Sequence, residues 1–181
     1  MRHSIPNKKD DYLSKDGIIL AKSVLSKLTG LYDEVYSSQI PRAIQTAEIF
    51  SSNVNVRYEL KERVIGDAKK DFWYKQYLDY DFKNSNGESL NESKNRMKSA
   101  IDDILYEMNE ETSSLVVSHA TAICSYLLNY CTLKVVNPDK KERIIIFKDK
   151  ILNIGEFGYS SYFVLKFENS ALIDLDYYRS K

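Results

Sequence analysis

Short apolar runs of strand character alternate with amphipathic helical stretches from about residue 15 to residue 131, and this alternation constrains the fold more than any other feature. Ser14 can cap a helix starting near Lys15, in which Ile18, Ala21, Leu25 and Leu28 recur at three- and four-residue spacing. Thr29-Gly30 ends it. Glu34 to Ser38 follows as a strand. Pro41 suits the first turn of a helix reaching about Phe50, and Val54 to Tyr58 reads as another strand. Ser89-Leu90-Asn91-Glu92 is a capping box that opens a helix to about Asn109, with Leu90, Met97, Ile101, Ile104 and Met108 on one side. Leu115 to Ser118 is a short buried strand, and Ala120 to Tyr130 a helix. The pattern predicts an α/β three-layer sandwich with a mostly parallel central sheet flanked by helices.

Two regions depart from the alternation. Between residues 67 and 86, Trp73, Tyr74, Tyr77, Tyr80 and Phe82 crowd together without a clean period. This reads as an aromatic-rich insertion with some helical character in a single domain spanning residues 1–181. Its rings either form a lid over a substrate or pack beneath the insertion itself. Beyond residue 131, Arg143 to Phe147 and Ile151 to Ile154 are strand-like. Tyr159 to Phe167 and Ala171 to Tyr177 form a C-terminal antiparallel hairpin about Asn169-Ser170.

Composition narrows the class. The 26 basic residues balance the 26 acidic ones, so global charge points neither to nucleic acid nor to an anionic membrane. No apolar run approaches the roughly 20 residues a membrane-spanning helix needs. Cys124 and Cys131 are two turns apart on one predicted helix, about 10 Å, too far for a disulfide. Two free thiols suit a reducing compartment, and a cytoplasmic location is expected. Oligomeric state has no sequence signal.

The chain has only two histidines, enough for one histidine-dependent site. His119 sits where the Leu115–Ser118 strand meets a helix, and ligands of open α/β sheets bind beyond the carboxyl ends of strands. The helix N-terminus there offers free N–H groups to an anion. Arg42 occupies the equivalent junction after Ser37-Ser38, where its guanidinium can fork around a phosphate. Neither histidine has a ligand partner at short spacing, so no metal site and no cofactor is expected.

Taken together, these blocks resemble the histidine phosphatase superfamily, the phosphoglycerate-mutase-like fold. Arg2-His3 matches the first two residues of its Arg-His-Gly signature. Leu13-Ser14-Lys15-Asp16-Gly17 looks like the start of its first helix, and Ser37-Ser38-Gln39-Ile40-Pro41-Arg42-Ala43-Ile44-Gln45-Thr46-Ala47 matches its Ser-Ser-x-x-x-Arg-Ala-x-Gln-Thr-Ala block. Leu60-Lys61-Glu62-Arg63 with Gly66 resembles the segment carrying the acid, Gly87-Glu88-Ser89 with Arg96 a further helix start, and Val116-Val117-Ser118-His119 the second histidine motif. The resemblance implies a phosphomonoester hydrolase acting through a phosphohistidine on a phosphorylated small molecule or phosphoprotein. It makes His3 the nucleophile, Arg2, His3, Arg42 and His119 the phosphate ligands, and Glu62 the acid–base group, with Glu59 in reserve. His119, if protonated, adds a cation in the transition state.

The chain also departs from the family pattern. Only Met1 precedes Arg2-His3, where the family has several apolar residues of its first strand; loss of that strand leaves a central sheet position empty and bears on turnover. Ser4 replaces the usual Gly and adds a side chain beside the pocket, and Ala120 replaces the common Gly after the second histidine. Lys69, Lys70, Lys75 and Lys83 balance Asp67, Asp71, Asp79 and Asp81 in the insertion. This favours a phosphatase over a mutase-type phosphotransferase, whose insertion carries excess basic charge. A non-catalytic phosphate-binding domain of the same fold is the reading from a different class.

Overall fold

The computed structural model describes residues 1–68 and 71–180. Lys69 and Lys70, counted above in the insertion's charge, lie outside the described residues. The elements are α1 (Lys15–Leu28), β1 (Glu34–Ser37), α2 (Pro41–Phe50), β2 (Asn55–Val56), a single 3-10 turn (Tyr58–Leu60), α3 (Phe72–Leu78), α4 (Leu90–Glu107), β3 (Ser114–Val117), α5 (Ala120–Leu127), β4 (Thr132–Asn137), β5 (Glu142–Phe147), β6 (Lys150–Gly155), β7 (Tyr162–Glu168) and β8 (Ala171–Tyr178).

The strands β2, β1 and β3 form a parallel sheet in that order. Val35 and Val117 are buried on it, and an apolar cluster with Ala21, Val24, Ala43, Ala47 and Phe50 packs α1 and α2 against the sheet. A second cluster joins Met97, Ala100 and Ile104 of α4 to Ala122, Ile123 and Leu127 of α5, and continues into Ile145, Phe157 and Leu175. The molecule is thus α/β, with helices flanking a parallel sheet and an antiparallel hairpin at its C-terminal end. No helix among the described residues is long and apolar enough to cross a membrane.

The sheet position expected to stand empty is filled. Residues 1–3 lie along β3: Ser118 N–H donates to Met1 C=O at 2.9 Å, and His3 N–H donates to Ser118 C=O at 2.9 Å. On their other side, Arg2 N–H donates to Ser161 C=O at 3.0 Å and Ser160 N–H to His3 C=O at 3.3 Å. Three residues therefore serve as the strand, because backbone partners hold both their edges.

Other differences are local. Gly17, Leu20, Ala21, Val24 and Leu28 form the buried face of α1, while Ile18 lies outward, so the apolar face is rotated from the Ile18–Leu25 stripe expected. Gly17 is on that face because a side chain there would collide with Ile5 C=O. The strand β4 had no sequence expectation; it completes an antiparallel sheet with β5 and β6. The expected hairpin turn is present, with Asn169 and Ser170 both at positive φ (48° and 62°), the pair of values a tight hairpin turn requires. In the insertion, Tyr77 packs against the core, with Trp73 edge-on to it at 5.0 Å.

Candidate active site

Three carboxyl-end junctions of the sheet converge. His3 ends the short strand at residues 1–3, Ser38 and Arg42 follow β1, and His119 is the N-cap residue of α5 just after β3. His3 and His119 are 4% and 0% exposed, with ring centroids 5.0 Å apart. The Arg42 guanidinium touches a nitrogen of each ring. Its Nε donates to His3 Nε2 at 3.1 Å, and its Nη2 approaches His119 Nδ1 at 3.5 Å. The same guanidinium pairs with Asp11 through Nη1 and with Glu62 through Nη2.

These contacts set the proton positions. A guanidinium can only donate, so His3 Nε2 accepts and carries its lone pair toward Arg42. The proton is on Nδ1, which donates to Ser4 C=O at 2.7 Å. In His119 the order is reversed: Nδ1 faces Arg42, and Nε2–H donates to Ser38 Oγ at 2.9 Å. Burial is the main cause that pulls the His3 pKa down to about 3, with the Arg42 and Arg2 charges acting the same way. Burial likewise lowers His119, to about 2, helped by its neighbours His3, Arg42 and Arg2. Both rings are therefore neutral near pH 7, and a protonated His119 belongs only to a site that has received negative charge.

The supporting shell explains how each group is held. Ser4 turns its hydroxyl away from the histidines and donates to Gly17 C=O at 2.7 Å, while its N–H donates to Thr46 Oγ1 at 2.9 Å. The side chain that replaces glycine is thus spent on α1 and does not intrude on the pocket. Thr46 Oγ1 donates to Arg42 C=O at 2.7 Å, tying α2 to the same turn. Ser118 Oγ donates to Leu60 C=O at 2.7 Å and pins the 3-10 turn that precedes Glu62. Arg96 grips Glu88 with two bonds of 2.7 Å and reaches the carbonyl of Lys61 at 3.3 Å, bracing the segment from behind.

Arg2 stands near both rings but points elsewhere. Its Nη1 donates to Phe157 C=O, and its guanidinium lies 3.8 Å from the centre of the Tyr159 ring. A cavity of about 190 Å³ adjoins the cluster and shares Arg2 and Glu62 with it; Arg63, Trp73, Gln76 and Arg143 are among its other walls. Glu59, the reserve acid, contributes a backbone carbonyl to Arg96.

Sequence reasoning missed Asp11, Tyr159 and Arg143. Asp11 lies in a polar loop with no periodicity. Arg143 comes from β5 and Tyr159 from the turn before β7, far in sequence from the motif blocks. Among the described residues, no group of three or more His, Cys, Asp or Glu side chains is placed to hold a metal ion.

The fold and this cluster describe a buried, paired-histidine, arginine-bridged site at the carboxyl end of a parallel sheet. The chain belongs to the histidine phosphatase superfamily (branch 1), whose family model matches residues 2–146. Solved structures of similar fold include a phosphoserine phosphatase from Entamoeba histolytica in complex with phosphoserine, at 21% identity and a TM-score of 0.59, covering 84% of this chain and 91% of that one. A mycobacterial glucosyl-3-phosphoglycerate phosphatase is similar at 18% identity and TM-score 0.63, covering 80% of this chain and 86% of that one. A protein described as a putative alpha-ribazole-5'-P phosphatase from Escherichia coli is similar at 19% identity and TM-score 0.58, covering 88% and 96%. Among curated proteins, none matches the chain.

Proposed function

We propose that the protein is a phosphomonoester hydrolase that works through a phosphohistidine on His3. One observation carries the reading: His3 Nε2 presents its lone pair to the Arg42 guanidinium, with its tautomer locked by Ser4 C=O behind. A neutral, oriented imidazole beside a fixed cation is what in-line attack on a phosphoryl group needs. The similar folds include phosphatases of phosphoserine, of glucosyl-3-phosphoglycerate and, by description, of alpha-ribazole-5'-P, which supports hydrolysis without choosing a substrate.

In the proposed sequence, phosphoryl oxygens displace the Asp11 and Glu62 carboxylates from Arg42, exchanging one set of oxygen acceptors for another. The dianion raises the His119 pKa, so that the ring takes a proton and becomes a further cation. Arg42 holds the equatorial oxygens, joined by Arg2 once it turns from Phe157 C=O. Glu62, freed from Arg42, takes up a proton from solvent; His3 Nε2 forms the bond to phosphorus as the bond to the alcohol oxygen breaks, and Glu62 passes that proton to the departing oxygen. Water then attacks the phosphohistidine, Glu62 takes its proton, and His3 and orthophosphate are released.

Filling of the sheet position by residues 1–3 supports an enzyme over a non-catalytic binding module, since His3 has bonded backbone on both edges. The test is phosphate release from p-nitrophenyl phosphate together with acid-labile labelling of the protein. Activity that survives in the His3→Ala variant, or labelling of another residue, refutes the reading.

A further inference from the structure

We propose that the cavity beside the histidines is a second anion subsite, in which Arg143 and Arg63 receive a carboxylate or phosphate at the far end of a small phosphomonoester. The inference rests on the phosphatase reading and extends it to substrate class.

Two buried cations share the cavity. Arg143 and Arg63 line the cavity and are 3% and 4% exposed. Among the described residues neither has a carboxylate partner. Arg143 donates through Nη1 to the Tyr77 hydroxyl at 2.7 Å, and Arg63 through Nη1 to Glu88 C=O at 3.0 Å. Among the described residues, the Nε groups of both, and of Arg2, have no hydrogen-bond partner, nor does Oε1 of buried Gln76 on the same wall. A buried guanidinium without a carboxylate partner is costly, and an anion held in the cavity that both arginines line offsets that charge. Their orientation is already set, since Arg143 lies 5.4 Å from the centre of the Trp73 ring and Arg63 lies 5.8 Å from that of Phe72. These two rings of α3 also line the cavity.

Charge agrees. Arg2, Arg63, Lys141 and Arg143 face Glu62 and Glu156 around the cavity, and Glu62 is already paired with Arg42. At about 190 Å³ the space is below the roughly 300 Å³ where drug-sized pockets begin, so the molecule it takes is short. Arg143 belongs to the antiparallel β4–β6 sheet, which places this reader outside the α/β elements that carry the histidines.

The test compares three ligands of one carbon skeleton: glycerol 3-phosphate, 3-phosphoglycerate and glycerol 1,3-bisphosphate. Affinities are measured by calorimetry on the His3→Ala protein, and kcat/KM on the wild type. A second anion engaging charged donors is expected to strengthen binding at least about ten-fold over glycerol 3-phosphate. The better of the other two identifies carboxylate or phosphate as the group read. Arg143→Met should bring that ratio close to one, and Arg143→Lys should restore part of it. Equal affinities, no measurable binding of any of the three, or a ratio that survives in Arg143→Met overturns the subsite. Turnover of p-nitrophenyl phosphate with equal affinities would leave the phosphatase reading standing without the subsite. Discrimination in binding without any turnover would do the reverse.

Discussion

Arg42 Nε donates to His3 Nε2 at 3.1 Å, so the group assigned to clamp phosphate already occupies the lone pair assigned to attack it. The guanidinium thus covers the ring nitrogen, and in the proposed reaction a phosphoryl group takes its place there by an exchange of partners. Arg42→Met should lower kcat/KM for p-nitrophenyl phosphate by about 10²–10³-fold, the usual cost of one fixed transition-state donor. Steady-state kinetics on correctly folded variant, checked by circular dichroism, measures it.

Asp11 pairs with the same guanidinium that the proposed reaction gives to substrate, and it is largely exposed. Exposed ion pairs are worth at most about 1 kcal/mol. Asp11→Asn should accordingly tighten inhibition by orthophosphate or vanadate by a few-fold, with a matching fall in KM. A weaker inhibition constant in the variant would show that Asp11 instead helps to hold the anion.

Glu62 is assigned the proton transfer to the leaving oxygen, and this assignment depends on leaving group. p-Nitrophenolate leaves with little help, whereas an alkoxide needs a proton. Glu62→Gln should cost about 10²–10⁴-fold with an alkyl phosphate and markedly less with p-nitrophenyl phosphate. Equal losses on both substrates would move the proton-transfer role to another residue.

The two buried histidines also make stability depend on pH. Each has its folded pKa below the unfolded value of 6.5, at about 3 for His3 and about 2 for His119. The unfolded chain thus binds more protons below pH 6.5, so this contribution is whole above that value and is lost as pH falls toward 3. The slope approaches about 1.4 kcal/mol per pH unit for each ring. Urea denaturation should show a clear drop in midpoint from pH 7 to pH 5, and His119→Asn should flatten it.

Ser118 Oγ is fully buried and bonded to Leu60 C=O. Ser118→Ala leaves that carbonyl without its partner and should cost about 1–3 kcal/mol of stability, read by urea unfolding at fixed pH. Because the same bond pins the turn before Glu62, the alkyl phosphate rate should fall more than the p-nitrophenyl phosphate rate.

Much of this architecture was legible because its signals are local. Ser14 and Ser89 cap their helices, the latter in a complete capping box, and Pro41 opens α2, each where residue type and spacing said. Asn169-Ser170 turns the hairpin for the same reason. What could not be read depends on distant contacts. Ile18 lies outward because the start of α1 packs through Gly17 against residues 4 and 5, a constraint invisible to helical periodicity. Residues 1–3 are too few to look like a strand, and become one only when β3 and residues 160–161 flank them. The motif blocks name His3, Arg42, Glu62 and His119, but their geometry comes from junctions separated by more than a hundred residues. Asp11, Tyr159 and Arg143 have no local pattern at all.

That three-residue strand also fixes when the site can come into being. His3 is synthesised well before its partners, and one edge of its backbone waits for Ser118 and the other for Ser160 and Ser161. Closing contacts over such separations is slow compared with local helix formation. A nascent chain cut short before residue 160 should therefore carry most of its named motif residues and still leave one edge of His3 unpaired, so that the turn at residues 160–161, just ahead of the hairpin, is the completion step for the site.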